Sequence, residues 1–323
     1  MDDIDRRLLN AVQSHFPMTA EPYDGLGGLL DISGDAVIER IRAFMQAGII
    51  RQISPVVDAR RLGYQSTLVA MKVPSEGLDR AAQAIAEHPG ISHGYRRDHE
   101  YNVWVTLALP GDSDVRRELD NLAGTAGAEA VFDMPALKVF KLRTHFGADG
   151  EEPGIDTGAG SSVLPQKAAL SGQDKLVINE LQQPLPLHRA PFAPMAGRLG
   201  MSLDDFLACC RSLLELGVIR RYGAAINHHK AGYKANAMTC WKVSPGMTEE
   251  VGQRLAALRE VSHCYERKTD PRWPYNVFAM IHGRLREDCH RIVAGLSRET
   301  GLDEYAMLFS TTEFKKVRVR YPA

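Results

Sequence analysis

Apolar and polar positions repeat with two different periods along the chain, and these periods predict its elements. In residues 3–16, apolar side chains recur every three or four positions, as is typical of an amphipathic helix. Residues 23–30 and 34–47 predict two further helices, and residues 49–53 predict a strand. Three helices followed by a two-stranded wing would form a winged helix-turn-helix. The first 63 residues are therefore expected to be such a domain.

The next stretch alternates strand and helix patterns in a different order. From residue 67 the pattern is strand, helix, strand, strand, helix and strand, ending near residue 143. This βαββαβ order is typical of a ferredoxin-like domain. Its two helices would cover one face of an antiparallel sheet and leave the other face free to bind or to pair.

The whole series then starts again, which indicates an internal duplication. Gly48-Ile49-Ile50-Arg51 is matched by Gly217-Val218-Ile219-Arg220, and a Gly-, Ser- and acid-rich linker separates the halves. We predict an α+β chain, a tandem duplication of a winged helix-turn-helix followed by a ferredoxin-like domain, in which the halves form an intramolecular pseudo-dimer. The predicted segments are 1–63 and 64–146 (first half), 147–173 (linker), and 174–232 and 233–323 (second half).

Composition excludes several classes of protein. The 323 residues carry a net charge of −1, which gives no general attraction to nucleic acid or to an anionic membrane. No apolar run reaches transmembrane length and no signal-peptide pattern is present, so we expect a cytoplasmic protein. The five cysteines show no zinc spacing and no sign of a disulfide framework.

A polar motif, His-x-Tyr-x-Arg, occurs once in each half on a predicted strand. Its members are His93, Tyr95, Arg97, His263, Tyr265 and Arg267. Because side chains alternate along a strand, each copy places imidazole, phenol and guanidinium on one face. Ordinary half-exposed strand residues would look similar in a single copy. The intervening residues differ between the copies while the motif does not, and this favours a functional site.

Longer stretches around the motif carry a resemblance to a known family. They are FPMTAEPYDGLG (16–27), GIIRQISPVVDARRLGYQSTLVAMKVP (48–74), SHGYRRDHEYNVWVT (92–106), GVIRRYGAAINHHKAGYKANAMTCWKV (217–243) and SHCYERKTDPRWPYNVFAMIHG (262–283). The chain resembles the siroheme decarboxylases, which share the Lrp/AsnC architecture, and its halves look like the two subunits of that enzyme fused. The wing reads RQISPVV in one half and RRYGAAI in the other, which leaves open whether both halves are active.

The resemblance implies conversion of siroheme to 12,18-didecarboxysiroheme by removal of two acetate carboxyl groups, in haem d1 or alternative haem biosynthesis. It implies no cofactor beyond the iron of the substrate. The six motif residues would be catalytic, with His93 and His263 as candidate proton donors. Candidate binding residues are Arg51, Arg96, Tyr101, Asn102, Arg220, Arg221, Tyr275 and Asn276. Candidate ligands of the substrate iron are His263, His93, His99 and His228. His228 and its neighbour His229 point in different directions, so at most one reaches the site, and ordinary solvent-exposed positions for both are the alternative.

Two alternatives use the same architecture differently. An Lrp/AsnC-type regulator would need a basic recognition helix, yet residues 203–216 carry Asp204, Asp205 and Glu215 against one arginine. Residues 34–47, where two acidic residues are offset by two arginines, are ambiguous. A non-catalytic tetrapyrrole sensor or carrier would use the same Arg and His residues without turnover. We therefore expect no nucleic acid and no membrane as partners, and a further homodimer of the chain stays open.

Overall fold

The computed structural model describes residues 1–14, 16–142, 166–226 and 235–323. Most of the predicted linker, and the predicted iron ligand His228, lie outside these residues. The first half contains α1 Asp3–Ser14, α2 Pro22–Leu30, α3 Gly34–Gln46, β1 Ile50–Val57, β2 Tyr64–Lys72, α4 Leu78–Glu87, β3 Ile91–Arg97, β4 Val103–Pro110, α5 Val115–Ala126 and β5 Ala130–Leu142. The second half contains α6 Gly172–Leu181, α7 Ala193–Arg198, α8 Leu203–Glu215, β6 Ile219–Ile226, β7 Ala235–Trp241, α9 Thr248–Ala257, β8 Val261–Arg267, β9 Val277–Gly283, α10 Arg286–Thr300 and β10 Tyr305–Lys316.

The first three helices of both halves pack into one helical unit with a shared core. Short polar side chains begin several of these helices: Ser33 accepts a hydrogen bond from the backbone of α3, and Ser171 forms a capping box with Asp174 at α6. Aromatic rings from the two halves meet in the core, where the ring centroids of Phe16 and Phe192 are 6.4 Å apart. Neither half could bury this surface alone.

The strand that follows each set of helices pairs in a way that corrects the predicted wing. Among the described residues, β1 and β6 pair only with each other, antiparallel, with Ile53 opposite Ala224. Each half thus contributes one strand to a shared ribbon, and the prediction of a two-stranded wing within each half is wrong. A strand must satisfy its backbone groups with some partner, and here that partner is its counterpart in the other half.

The other eight strands in the described part of the chain form one closed sheet in the order β10-β3-β4-β2-β5-β8-β9-β7. Each half follows the chain order strand, helix, strand, strand, helix, strand. The last strand of each half is shared: β5 pairs with β2 along residues 130–135 and with β8 of the other half along residues 136–142. β10 does the same between β7 and β3. The two halves therefore close a single sheet by exchanging the ends of their last strands.

The two faces of the closed sheet bury different cores. The helices α4 and α5 cover the outer face of the first half, and α9 and α10 cover that of the second. The inner face holds a cluster drawn from both halves, in which the rings of Trp104 and Trp273 lie 5.1 Å apart. Within the described residues, no helix combines the length and the apolar character that crossing a membrane requires.

Each exchanged strand end carries a phenylalanine into the outer core of the other half. Phe140 of β5 is 3% exposed and packs with the second-half core, where its ring lies over Gly252. A Cβ atom added at Gly252 would lie 2.4 Å from that ring, so this position has room only for glycine. Phe314 of β10 packs against the first-half core but is less buried.

We expect Phe140→Ala to destabilise the whole chain. Phe140 belongs to the first half, but its removal would leave a cavity in the outer core of the second half. The free energy of unfolding should fall by about 3 to 5 kcal/mol, the range for a buried Phe→Ala change. Urea unfolding followed by circular dichroism measures this. Phe314→Ala is the matched control and should cost less; an equal or larger loss there would contradict the described packing.

Candidate active site

The His-x-Tyr-x-Arg face of both motif strands points into the interior of the closed sheet. Between His93 and Tyr95, Gly94 faces the helices, since a Cβ atom there would lie 2.5 Å from the Ile85 side chain. In the second half Cys264 takes the same outward place and is fully buried in the outer core. Strand alternation then directs the motif residues inward, which confirms the predicted shared face.

Within each copy the three side chains form a stack. The rings of His93 and Tyr95 are 6.4 Å apart at an interplanar angle of 28°, and the Arg97 guanidinium lies 5.5 Å from the centre of the Tyr95 ring. In the second copy the His263 and Tyr265 rings are 6.3 Å apart, and the corresponding guanidinium lies 4.6 Å from the tyrosine ring. Burial raises the pKa of both tyrosines, so both hydroxyls remain neutral hydrogen-bond donors.

The two motif arginines are buried cations. Arg97 donates to the carbonyl of Leu308 at 3.2 Å and to Ser310 Oγ at 3.1 Å, whereas Arg267 donates to the carbonyl of Met134 at 2.9 Å. Both Nε atoms are buried and have no partner among the described residues. Burial lowers the pKa of Arg97 to about 10, so it stays charged near neutral pH. Buried cations without a carboxylate are costly unless an anion arrives to pair with them.

A bulge in each motif strand places a serine beside the motif histidine. On β3 the register with β4 shifts between Ile91 and His93, and on β8 it shifts between Val261 and His263. The bulged residues are Ser92 and Ser262, whose Oγ atoms lie 2.9 and 2.7 Å from Nδ1 of the following histidine. Bulges often redirect side chains next to functional sites, and here they fix the orientation of both imidazoles.

Both motif histidines are neutral in this site at neutral pH. Burial is the main cause; it lowers the pKa of His93 to about 3 and that of His263 to about 4. The positive charge of Lys316 lowers the pKa of both, and His263 contributes to the shift of His93. The histidines and tyrosines of both copies stay partly exposed on the inner face of the closed sheet, and we call the space that they border the cavity.

The helical unit adds further cations next to this cavity. Arg51 donates to the Lys316 carbonyl at 3.1 Å and lies 3.7 Å from Glu313, while Arg220 forms an ion pair with Asp58 at 2.8 Å. The wing residues Arg51 and Arg220 were predicted as binding residues. Their position beside the motif follows from the shared β1–β6 ribbon.

Other predicted binding residues lie elsewhere or are used structurally. Arg96 is exposed and alternates with the motif, so its side chain points away from the cavity. Asn102 and Asn276 each bond the backbone just beyond the end of another strand, with Asn102 bonding both the N–H and the carbonyl of Val73. Arg221 is buried and donates to the backbone carbonyl of Gln13.

The predicted aromatic residues and the third predicted iron ligand gather beside the inner cluster. The ring of Trp273 lies 6.2 Å from Tyr101 and 5.1 Å from Tyr275. His99 stacks on Tyr101 and lies 5.1 Å from Trp273. Among the described residues, no group of three or more His, Cys, Asp or Glu side chains could hold a metal ion of its own.

Sequence reasoning missed the residues that the exchanged strand ends and the neighbouring strands supply. Lys316 pairs in register with His93, and Glu313 pairs with Tyr95. The equivalent positions opposite the second motif are Leu142 and Val139, opposite His263 and Tyr265. The last strands of the two halves differ at these positions, with LKVFKL in the first half and EFKK in the second. Comparing these two sequences was the signal that could have identified Lys316 and Glu313. His282 and Asn236 were missed as well.

Comparisons with known proteins agree with this architecture. Residues 61–141 and 230–315 match the model of an AsnC-like ligand binding domain, and residues 5–51 and 174–220 match that of a siroheme decarboxylase NirDL-like HTH domain. The matched modules thus define a class of proteins in which an HTH module and an AsnC-like module occur twice in tandem. The chain belongs to the siroheme decarboxylase family.

Individual relatives cover nearly the whole chain. The siroheme decarboxylase of Hydrogenobacter thermophilus is 36% identical over 320 residues, which are 98% of this chain and 94% of that protein. The siroheme decarboxylase beta subunit of Methanosarcina barkeri is 40% identical over 147 residues, 46% of this chain and 97% of that subunit. A crystal structure of the siroheme decarboxylase NirDL in co-complex with an iron-uroporphyrin III analogue is similar over 99% of this chain and 95% of that chain, with 33% identity and a TM-score of 0.77.

We expect the stability of the ligand-free protein to fall as the pH drops from 6.5 toward 4. Above this range both folded and unfolded chains hold neutral imidazoles at positions 93 and 263, so these groups contribute nothing. Within and below it, the unfolded chain takes up protons on these two imidazoles before the folded chain does, because burial lowers both folded-state pKa values. Urea unfolding at several pH values measures this loss.

The double variant His93→Gln and His263→Gln should show a flatter pH dependence of the free energy of unfolding. Replacing the exposed His290 by Gln is the control and should leave the wild-type slope in place. An unchanged slope in the double variant would mean that these imidazoles are not held neutral in the folded protein.

Proposed function

We propose that this protein is a siroheme decarboxylase that removes the carboxyl groups of two acetate side chains from its substrate in a cavity shared by both halves. The observation that carries the proposal is the pair of buried guanidiniums, Arg97 and Arg267, inside the closed sheet. Family membership supplies the substrate, since the full-length relative is a siroheme decarboxylase. The product 12,18-didecarboxysiroheme, and a place in haem d1 or alternative haem biosynthesis, belong to the same proposal.

The cavity suits an anionic, planar substrate. A tetrapyrrole with many carboxylates needs several cations, and guanidinium groups bind carboxylates with two parallel hydrogen bonds. Arg97 and Arg267 reach in from opposite halves, and Lys316 and Arg51 add charge beside His93. Apolar rings and thioethers of the inner cluster would pack on the macrocycle. We therefore assign these four cations to substrate carboxylates, and the motif tyrosines to orienting the carboxylate that leaves.

The chemical step needs a proton at a defined atom. When the bond between the acetate methylene and its carboxylate breaks, carbon dioxide leaves and the electron pair stays on the methylene carbon, delocalised into the macrocycle. One proton then converts that carbon to a methyl group, and two acetates require two protons. His93 and His263 border the cavity, and we propose that each delivers a proton through Nε2 while the serine hydroxyl at its Nδ1 supplies a replacement proton.

Iron enters the cavity as part of the substrate. A neutral imidazole is the form that binds iron, and burial keeps His93 and His263 in that form. The assignment of His93, His263 or His99 as an axial ligand stays a prediction. So does the pairing of two chains into a homodimer, and so does the interpretation of the second domain of each half as ferredoxin-like.

A DNA-binding function is poorly supported by the helices that would have to read a groove. On α3, Arg40 is held by Asp2 and Asp5, and Arg42 is paired with Glu39. The first turn of α8 carries two aspartates. Helices with compensated or acidic surfaces gain little from DNA phosphates.

Anaerobic incubation of the purified chain with siroheme tests the function directly. The extracted tetrapyrrole should lose two molecules of carbon dioxide in succession with no added cofactor, as followed by mass spectrometry. Tight binding with unchanged mass would instead identify a sensor or carrier. Absence of binding would reject both functions.

We expect Arg267→Met to weaken siroheme binding by at least about ten-fold, the loss that follows when one charge-assisted carboxylate contact is removed. Its folding should not suffer, because an apolar group replaces a buried cation that lacks a carboxylate. Absorbance titration gives the binding change, and urea unfolding gives the stability change.

The control for this variant is Arg220→Met, which leaves the buried Asp58 carboxylate without its arginine. That variant should lose stability. If Arg267→Met bound siroheme as tightly as the wild type, the assignment of Arg267 to substrate carboxylates would be wrong.

A further inference from the structure

A chain of hydrogen bonds leads away from the second motif histidine. Nδ1 of His263 lies 2.7 Å from Ser262 Oγ, and the same oxygen lies 2.6 Å from Nε2 of His282. Nδ1 of His282 in turn lies 2.5 Å from Oδ1 of Asn236. Two imidazoles are thus joined through a single hydroxyl, and the outer imidazole is held by an amide.

The strand geometry explains why these four side chains meet. The bulge on β8 turns the fully buried Ser262 toward β9, since Val261 pairs with Ile281 but His263 pairs with Met280. Asn236 of β7 pairs in register with His282 of β9, so these two side chains share a face of the sheet. The chain is therefore held by the sheet backbone and does not depend on a loop.

The first half has the serine–histidine contact with which this chain of hydrogen bonds begins, but it lacks the rest of the chain. Ser92 bonds His93 as Ser262 bonds His263. The two equivalent asparagines, Asn102 and Asn276, set the correspondence between the halves. The residue six positions after Asn276 is His282, and the residue six positions after Asn102 is Ala108.

The outer end of the chain also differs between the halves. Ala108 pairs in register with Ser66, the counterpart of Asn236. In the first half the hydrogen-bonded path from His93 therefore has no second imidazole behind its serine.

We propose that Ser262 and His282 form a proton relay that recharges His263, and that this relay makes His263 the renewable proton donor of the decarboxylation. Ser262 and His282 are positioning residues in this scheme, since they act on the substrate only through His263. The inference rests on the proposed function, because it needs a reaction that consumes protons in the cavity.

The relay conserves protons and hydrogen bonds at every step. Before the step, His282 is an imidazolium that donates from Nδ1 to Asn236 and from Nε2 to Ser262, whose hydroxyl donates to Nδ1 of His263. Nε2–H of His263 gives its proton to the methylene carbon. The Ser262 proton then moves to Nδ1 of His263, and the Nε2 proton of His282 moves to Ser262. Afterwards His263 is neutral with its proton on Nδ1, and the polarity of the chain is reversed. Before the next step, His263 returns its proton to Nε2 by exchange with solvent, and His282 takes up one proton.

His263 needs such a supply because of its surroundings. Burial and the charges of Lys316 and Arg267 oppose a second proton on its ring. A neutral imidazole that gave up its only proton unaided would become an anion. His282, which is as partly exposed as His263, lies at the far end of the hydrogen-bonded chain and can take a proton from solvent.

The decisive variant is His282→Gln, because a glutamine amide can still donate to Ser262 but cannot pass a proton on. We expect the single-turnover rate constant of at least one carboxyl loss to fall by about 100-fold or more, the lower end of the usual size of acid–base assistance. The solvent deuterium isotope effect on that rate should rise, and the dissociation constant for siroheme should stay within about two-fold of the wild type. Ser262→Ala should act in the same direction.

The control is His88→Gln, the same change at a partly buried histidine whose ring bonds Glu118 of α5, on the outer face of the sheet. It should leave the rate constants and the isotope effect unaltered. The relay is rejected if His282→Gln keeps both rate constants within about two-fold of the wild type, or if it changes only siroheme binding. A wild-type chain that releases no carbon dioxide would reject the proposed function itself, so the two failures are distinguishable.

Discussion

The structure depends on the exchange of the last strands between the two halves. β5 and β10 each pair first with their own half and then with the other, and only this crossing closes the eight-stranded sheet. Closure creates an interior that neither half possesses alone, and it also removes the exposed edges that would otherwise pair with other chains. The buried guanidiniums Arg97 and Arg267 are enclosed in that interior. Without the exchange, both would lie at the open edge of a sheet and would be solvated.

Much of this arrangement could be predicted from the sequence because it is local. The helix periods, the duplication and the shared face of His93, Tyr95 and Arg97 depend only on spacing, and the structure confirms them. The pairing of β1 with β6 could not be predicted in this way, since periodicity shows that a strand exists but not which strand it pairs with. For the same reason Lys316, which is distant in sequence from His93, was missed.

Single residues also show where pattern reasoning goes too far. Arg96 was grouped with the motif arginines because of its chemistry, although strand alternation alone already directs it outward. Asn102 and Asn276 recur in both halves, yet their amides bond the backbone just beyond the end of another strand, so their recurrence reflects the fold. Ser92 and Ser262 recur as well, but their contacts with the motif histidines depend on the strand bulges, which the sequence pattern does not predict. Repetition within a chain therefore marks structural and chemical needs alike.

The crossing of β10 has a consequence for how such a chain can evolve. The residues beside His93 and Tyr95 on the neighbouring strand, Lys316 and Glu313, come from the last strand of the second half. The residues beside His263 and Tyr265, Leu142 and Val139, come from the last strand of the first half. A mutation in one half is thus selected for its effect on the chemistry of the other. Because both halves belong to one polypeptide, they are always inherited together. The residues that each half contributes to the other can therefore diverge without being combined with an incompatible half.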